Sequence, residues 1–265
     1  MVIDFHTHTF PDKIADKTIA YLTEKGGIHA YRGGTLGSLI DTMKLSGVDC
    51  SVSLPIATLP KQEASINALS AEMNGKNNVF FSGGIHPDCA DVDGTLDFIK
   101  ESGLFGIKLH PDYQGVHFDD PRYINIMRKA FERDLYVVTH AGVDVGFRNH
   151  VHCTPDMILN VFSQLGGLYE DKLILAHLGG YELPDEVMEK LVGAPVYMDT
   201  AAVLKLYPEK CREIILRHGA DRILFATDSP WESQSDFIEI IKSFGLGKEN
   251  EDKIFYKNAE KILNI

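Results

Sequence analysis

Short apolar runs recur along the chain and alternate with longer segments that have the mixed polar and apolar spacing of amphipathic helices. We interpret these runs as β-strands because each is only a few residues long and most end at a polar residue or a proline. The predicted strands are residues 1–3, 49–55, 79–85, 104–109, 135–140, 172–177, 196–199 and 223–228.

The predicted helices fill the intervals between the strands. They are residues 10–22, 36–45, 61–73, 91–101, 121–133, a segment starting at 154, 183–191, 207–218, 233–244 and a terminal helix at 249–263. Glycine pairs at 26–27 and 33–34 mark a long insertion after strand one, which we interpret as a lid.

Eight strands alternating with helices, without a composition break, predict an α/β protein with a single (β/α)8 (TIM) barrel domain over residues 1–265. A doubly wound open sheet has the same alternation. However, its dinucleotide-binding version carries a Gly-x-Gly-x-x-Gly loop after strand one, and this chain has none.

Composition narrows the function without defining it. The net charge of −12 and the lack of a basic stripe argue against a nucleic-acid surface. No apolar run is long enough to span a bilayer, and the N-terminus lacks the features of a cleaved signal peptide. The 4 cysteines are scattered without a Cys-x-x-Cys pair, so we expect reduced thiols and a cytoplasmic protein.

The first candidate chemistry is Asp4-Phe5-His6-Thr7-His8, at the end of strand one. Because side chains on a strand alternate between faces, we expect Asp4, His6 and His8 to point the same way. Two imidazoles on one side of a strand end, near a carboxylate, can hold a divalent cation. The pattern is short and common, however, and it also describes an exposed polar strand end.

The other strand ends strengthen the metal interpretation. In a β/α barrel all strands open with their carboxyl ends onto one face, which carries the chemistry. Of 11 histidines, 6 fall at these ends, too many to be isolated core histidines. The strand-end residues are His6, His8, His86, Lys108, His110, His140, His177 and Asp228.

These motifs, in this order, resemble the amidohydrolase superfamily, and most closely its amidohydrolase-2 branch, over nearly the whole chain. The segments that carry the resemblance are Asp4-Phe5-His6-Thr7-His8, Gly84-Ile85-His86-Pro87, Ile107-Lys108-Leu109-His110-Pro111, Val138-Thr139-His140-Ala141-Gly142, Ala176-His177-Leu178-Gly179-Gly180 and Ala226-Thr227-Asp228-Ser229-Pro230-Trp231.

The resemblance implies that His6, His8, His140 and Asp228 bind a divalent metal, for which Zn²⁺ suits the three nitrogens and one oxygen. It also implies that Asp228 is the general base. His177 is then a catalytic imidazole or, alternatively, a further ligand.

Lys108 has two interpretations. In binuclear relatives a strand-four lysine is carboxylated and bridges two metals, which here would make His140 and His177 ligands of the second ion. Alternatively, a free Lys108 ammonium binds a substrate carboxylate. The surrounding motifs favour one metal ion.

Rim residues are candidates for substrate contact. His86 and His110 each precede a proline, so they either bind substrate or form hydrogen bonds that hold the rim. Arg148 and Trp231 are expected at the same face. Arg148 would suit an anionic substrate, but the favoured interpretation is a solvated loop arginine. Asp199, at the end of strand seven, is a candidate to support the metal ligands.

The resulting hypothesis is a metal-dependent hydrolase that activates water against an amide, ester or lactone bond of a small, carboxylated molecule. The alternatives are a metal-dependent non-oxidative decarboxylase on the same scaffold and a binding protein without turnover. We expect a small-molecule substrate and a homodimer, with neither nucleic acid nor membrane as a partner.

Overall fold

The computed structural model describes residues 1–265, and its strands all pair in parallel and in chain order. The strands are β1 Ile3–Thr7, β2 Cys50–Ser53, β3 Val79–Phe81, β4 Gly83–Gly84, β5 Gly106–Leu109, β6 Tyr136–Thr139, β7 Leu173–Leu175, β8 Tyr197–Asp199 and β9 Ile223–Leu224.

Hydrogen bonds connect these strands around a ring, although not as one uninterrupted sheet. One sheet holds β1 to β3 and the other holds β4 to β9. Between β3 and β4, the Ser82 amide donates to the Ser53 carbonyl. Beyond β9, the Phe5 amide of β1 donates to the Phe225 carbonyl at 2.9 Å, so the last strand lies beside the first. The fold is therefore the expected (β/α)8 barrel.

Helices follow nearly every strand, as the sequence pattern predicts. They are α1 Asp12–Gly26, α2 Leu36–Ser46, α3 Glu63–Met73, α4 Val92–Glu101, α5 Pro111–Gln114, α6 Pro121–Glu132, α7 Pro155–Leu165, α8 Pro184–Lys190, α9 Pro208–His218, α10 Gln234–Ser243, α11 Lys248–Asp252 and α12 Asn258–Leu263. Side-chain caps explain several starts; the Thr154 hydroxyl, for example, accepts from the Met157 amide before α7. None of the helices is both long and apolar enough to cross a lipid bilayer.

The structure corrects several predicted element boundaries. The predicted third strand is divided at Ser82 into β3 and β4, and the predicted eighth strand shortens to β9 because residues 225–228 leave the ladder. The terminal helix is interrupted by a π-helical segment, Lys253–Lys257, and the short α5 was not predicted.

Buried apolar side chains form two layers that follow the period-two alternation of the strands. Val137 and Leu175 belong to the large cluster beneath the outer helices. Their neighbours Val138 and Ile174 belong to a smaller cluster inside the barrel. This alternation leaves the strand ends on the inner side free to carry polar side chains at the mouth.

Strand β1 departs from the alternation, which corrects the expectation that Asp4, His6 and His8 share a face. The pairing register of β1 on β2 shifts between Asp4 and Thr7. As a result, two successive residues face the barrel interior: Phe5 packs in the inner cluster and His6 contacts Asp199. Such an irregularity re-aims side chains, and it separates the Asp4 carboxylate from the two imidazoles.

Asp4 instead fastens β1 to the segment after β9. Its fully buried carboxylate accepts hydrogen bonds from the Thr227 amide at 3.0 Å, from the Thr227 hydroxyl at 2.6 Å and from the Gln234 side chain at 2.8 Å. Burial raises the pKa of Asp4 to about 6. The carboxylate therefore links the first strand, the last strand and α10.

We predict that Asp4→Ala lowers the free energy of unfolding by about 1–3 kcal/mol, because it leaves buried donors on Thr227 and Gln234 without an acceptor. Urea unfolding followed by circular dichroism measures the change. Asp41→Ala, at an exposed helix position, is the control and should stay within about 0.5 kcal/mol of the parent protein. Equal stability of the two variants would contradict this role of Asp4.

Candidate metal centre

His6 and His8 present bare ring nitrogens to a common space at the mouth of the barrel. The Nδ1 of His6 donates to the buried Asp199 carboxylate at 2.8 Å, and the Nδ1 of His8 donates to the Leu54 carbonyl at 3.0 Å. Because a neutral imidazole carries one proton, both Nε2 atoms are left as lone pairs. These two Nε2 atoms lie 3.2 Å apart.

Asp228 completes the group. Its Oδ1 lies 3.1 Å from the His8 Nε2 and 3.5 Å from the His6 Nε2, and it is buried without a hydrogen-bond donor. Burial alone would raise the pKa of Asp228, but attraction to the surrounding imidazoles holds that pKa below its usual range. The three ligand atoms all lie within 4.8 Å of one another. Bare nitrogens and an orphaned carboxylate oxygen fit a divalent cation.

His177 and His140 lie on the next side of this space. The His177 Nδ1 donates to the Ala201 carbonyl at 2.9 Å, so its Nε2 is bare and lies 3.0 Å from the His140 Nδ1. The His177 ring stands 5.4 Å from the His6 ring, centroid to centroid. His177 is thus beside the strand-one pair, as a catalytic imidazole requires.

His140 is the one imidazole whose tautomer depends on its neighbours. A proton on Nδ1 satisfies the bare His177 Nε2, whereas a proton on Nε2 faces the Asp112 carboxylate, 3.8 Å away. The second tautomer leaves the His140 Nδ1 bare beside the His177 Nε2. His140 can therefore offer a ligand nitrogen on the side of His177.

Lys108 lies under the imidazoles rather than at the rim. Its side chain is fully buried, and its Nζ is 3.4 Å from the His6 Nε2. Burial lowers the pKa of Lys108 to about 8, although Asp199 and Asp228 partly offset the effect. An amine with such a pKa can serve either as an ammonium or, after losing its proton, as a nucleophile towards CO₂.

His110 and His86 occupy different positions at the rim. The His110 ring stacks on His140 with centroids 4.4 Å apart, and its Nε2 lies 3.5 Å from the Asp144 carboxylate. The His86 Nδ1 accepts from the Asp88 amide, which holds the ring in its own turn. His110 thus extends the polar cluster of the mouth, whereas His86 is engaged in local structure.

Arg148 and Trp231 do not join the cluster. The exposed Arg148 guanidinium donates to both Glu182 carboxylate oxygens, at 3.0 and 2.9 Å. Trp231 is half-buried, and its amide donates to the Asp228 carbonyl. Substrate contact by either residue stays a prediction.

Backbone strain coincides with two of these residues. His177 has φ of 59° and Asp228 has φ of 69°, in the left-handed region that side chains disfavour. Each such residue costs on the order of 1–3 kcal/mol and persists only where the surroundings hold it. Next to His140, Gly142 has φ of 88° and approaches the Tyr181 backbone so closely that any Cβ would collide with it.

Several supporting residues were missed or undervalued in the sequence. Asp112 and Asp144 follow strand ends by a few residues, a signal that could have identified them. Arg32 is buried and donates to the His8 carbonyl at 2.8 Å and to the Ser229 hydroxyl at 2.7 Å. Arg32 thereby ties the insertion to the ends of the first and last strands.

Comparison with protein families gives one match that spans nearly the entire chain. The model of the amidohydrolase family Amidohydro_2 matches residues 3–265. Comparison with curated proteins gives no match.

Solved structures with the same fold include enzymes of two reaction types. 2,6-Dihydroxybenzoate decarboxylase from Rhizobium is 16% identical with a TM-score of 0.74, covering 99% of this chain and 98% of that one. A candidate 2-pyrone-4,6-dicarboxylic acid hydrolase from Pseudomonas putida is 15% identical with a TM-score of 0.67, covering 99% and 97%. 5-Carboxyvanillate decarboxylase from Novosphingobium aromaticivorans, complexed with manganese, is 15% identical with a TM-score of 0.73, covering 100% and 96%.

We predict that Asp199→Asn weakens metal binding about 10- to 100-fold. The amide nitrogen of Asn would donate to the His6 Nδ1 and shift the ring proton to Nε2, where the lone pair is needed. Metal content after dialysis at graded free Zn²⁺, measured by plasma mass spectrometry, tests this.

Two further variants serve as the positive and negative controls for metal loss in the Asp199 experiment. His6→Ala should lose the ion, and Asp41→Asn, at an exposed position, should retain it. If Asp199→Asn held the ion as tightly as Asp41→Asn, the proposed control of the His6 tautomer would be wrong.

Proposed function

The chain belongs to the amidohydrolase family Amidohydro_2, and from this membership we propose that it is a metal-dependent hydrolase acting on a small carboxylated molecule. The bond attacked is an amide, an ester or a lactone. The observation that carries the proposal is the group formed by His6, His8 and Asp228, in which two unprotonated imidazole nitrogens face an unpartnered carboxylate oxygen.

His6, His8, His140 and Asp228 would hold the ion, and their three nitrogens and one oxygen suit Zn²⁺. Other divalent ions are chemically compatible with the same donors, and one related decarboxylase is complexed with manganese. A bound ion would polarise the substrate carbonyl and promote the loss of a proton from water.

The chain's own side chains supply the proton transfers. Asp228 accepts the proton of the attacking water at its other carboxylate oxygen, Oδ2, because Oδ1 is the oxygen that faces the ligand nitrogens. His177, whose Nε2 lies 3.0 Å from the His140 Nδ1, would orient the water by accepting a hydrogen bond at that nitrogen. The His177 Nδ1, held by the Ala201 carbonyl, keeps the ring in that tautomer during the reaction.

Lys108 would bind the substrate carboxylate. The ammonium group lies beside His6 at the base of the mouth, where few other cations are available; Arg148, the other candidate, is engaged with Glu182. We propose one metal ion, with Lys108 uncarboxylated. A carboxylated Lys108 would instead support a second ion held by His140 and His177.

Non-oxidative decarboxylation is the second candidate, favoured by the two related decarboxylases. In that reaction the bond between a ring carbon and the carboxyl group breaks, CO₂ leaves, and the electron pair left on the ring carbon takes up a proton. His177 or Asp228 would deliver that proton. Both reactions use the same ligands but require the proton-transfer group in opposite starting states.

The products distinguish the two reactions. We expect the metal-loaded protein to open a dicarboxylated lactone such as 2-pyrone-4,6-dicarboxylate, with uptake of water and no release of CO₂. Release of CO₂ from 2,6-dihydroxybenzoate or 5-carboxyvanillate, with no lactone opening, would replace the proposal with the decarboxylase.

For whichever substrate reacts, His177→Asn should lower kcat by about 10²- to 10⁴-fold, the usual contribution of a proton-transfer or water-orienting group. The metal content should stay unchanged. His218→Asn, in which the replaced imidazole lies in α9 away from the mouth, is the control. Loss of the ion from His177→Asn would move this residue into the ligand set.

Lys108→Met tests whether Lys108 binds the substrate carboxylate or, in a carboxylated form, bridges two metal ions. We expect KM to rise roughly 10- to 100-fold, the equivalent of one charge-assisted hydrogen bond, with one metal ion per chain before and after the change. Steady-state kinetics and metal analysis measure the two quantities. Lys100→Met, on the exposed surface of α4, is the control. A fall from two ions to one would show instead that Lys108 bridges metals.

A further inference from the structure

Three histidines outside the centre form a second compact group beside the mouth. His117 follows α5, and His150 and His152 lie on the segment between β6 and α7. The Nε2 atoms of His117 and His150 are 2.7 Å apart, and the His152 ring lies 4.4 Å from the His150 ring, centroid to centroid. One nitrogen from each ring falls within 4.8 Å of the other two. We propose that these histidines form a second transition-metal site, suited to Zn²⁺.

The protonation pattern of the group supports a cation. Two neutral imidazoles that meet through Nε2 at 2.7 Å can share only one proton, so at least one of these nitrogens is a lone pair. The His152 Nδ1 donates to the Asp112 carboxylate at 2.8 Å, which leaves the His152 Nε2 bare. Imidazole nitrogens in this state are the ligands that Zn²⁺, Cu²⁺ and Ni²⁺ prefer.

Asp112 provides an independent argument. Its side chain is fully buried, His152 is the side chain that donates to it, and its second oxygen has no donor. Burying a carboxylate that accepts few hydrogen bonds destabilises the folded protein unless a positive charge lies nearby. An ion on the far side of the His152 ring would supply that charge. The hydrogen bond between His152 and Asp112 has the same arrangement as that between His6 and Asp199, where a buried carboxylate accepts from the Nδ1 of a candidate ligand imidazole.

The backbone already brings the two segments together. The Phe118 amide, next to His117, donates to the His152 carbonyl at 2.8 Å. The His150 amide donates to the Phe147 carbonyl, which closes a turn before the second histidine. Ligand nitrogens of a tetrahedral zinc site lie roughly 3.3 Å apart, as Zn–N bonds of about 2.0–2.1 Å require. The exposed His117 and His150 rings therefore need only separate slightly, and the fourth position opens to solvent.

The site would clamp the segment that borders the mouth. This segment carries Arg148, and Asp112 stands between the two metal groups, with one oxygen on the His152 Nδ1 and the other 3.8 Å from the His140 Nε2. No histidine is shared between the groups. Binding at the second site is therefore separable from binding at the centre.

The test uses the protein with its central ion in place, dialysed against metal-free buffer and titrated calorimetrically with Zn²⁺. We expect one further equivalent to bind. The double variant His117→Gln, His150→Gln should lose that equivalent while keeping the central ion and its circular dichroism spectrum, because both replaced side chains are exposed. His29→Gln, another exposed histidine, should bind as the parent protein does.

A second measurement separates the two sites. Asp228→Asn should lose the central ion yet bind one equivalent at the second site, and Co²⁺ bound there should show the intense visible absorption of tetrahedral coordination. Absence of a further equivalent in the parent protein would overturn the proposal. An equivalent that the double variant binds equally well would also overturn it.

Discussion

The proton positions on the mouth imidazoles are the constraint on which the candidate centre depends. A ring can bind a cation only if its other nitrogen holds the proton, and for three of the rings the fold provides an acceptor for that proton. For His6 the acceptor is the Asp199 carboxylate, and for His8 and His177 it is a main-chain carbonyl. Carbonyl oxygens cannot donate, so the tautomers are determined before any ion arrives. This arrangement directs the lone pairs of His6 and His8 towards Asp228, and that of His177 towards His140.

The barrel geometry makes this arrangement feasible. His6 faces the interior only because the register of β1 shifts after Asp4, so that Phe5 and His6 point to the same side. Asp4 precedes the shift, faces outward and accepts a hydrogen bond from Thr227, the residue before Asp228. Asp4 therefore does not contact the imidazoles but positions the segment that carries Asp228, the candidate acidic ligand. The direction of the His6 side chain thus depends on the register shift in β1, and the position of Asp228 depends on the neighbouring Asp4.

The sequence allowed the barrel and the convergence of its strand ends to be predicted, because alternation and chain order follow from side-chain patterns alone. It did not reveal that Phe5 and His6 face the same side, since a register shift depends on pairing with a distant strand. The carbonyls of Leu54 and Ala201 could not be identified either, because every residue has one and only tertiary structure selects the one that faces a ring. Asp199 could be predicted from the sequence, because it lies at the end of a strand, as the candidate ligands do. The group of His117, His150 and His152 depends on two segments meeting, which no local pattern encodes.

The chain belongs to the family Amidohydro_2 and carries a candidate metal-binding group at the mouth of its barrel. On that scaffold, the choice between hydrolysis and decarboxylation depends on one proton. In hydrolysis Asp228 must begin as a carboxylate that takes a proton from water, whereas decarboxylation needs a group that begins protonated and delivers its proton to carbon. The lowered pKa of Asp228 favours the ionised form. His177, with its Nδ1 proton held by the Ala201 carbonyl, likewise presents a lone pair rather than a proton to the substrate space. In these states Asp228 and His177 could accept a proton from water, whereas delivery of a proton to carbon would require one of them to be protonated first.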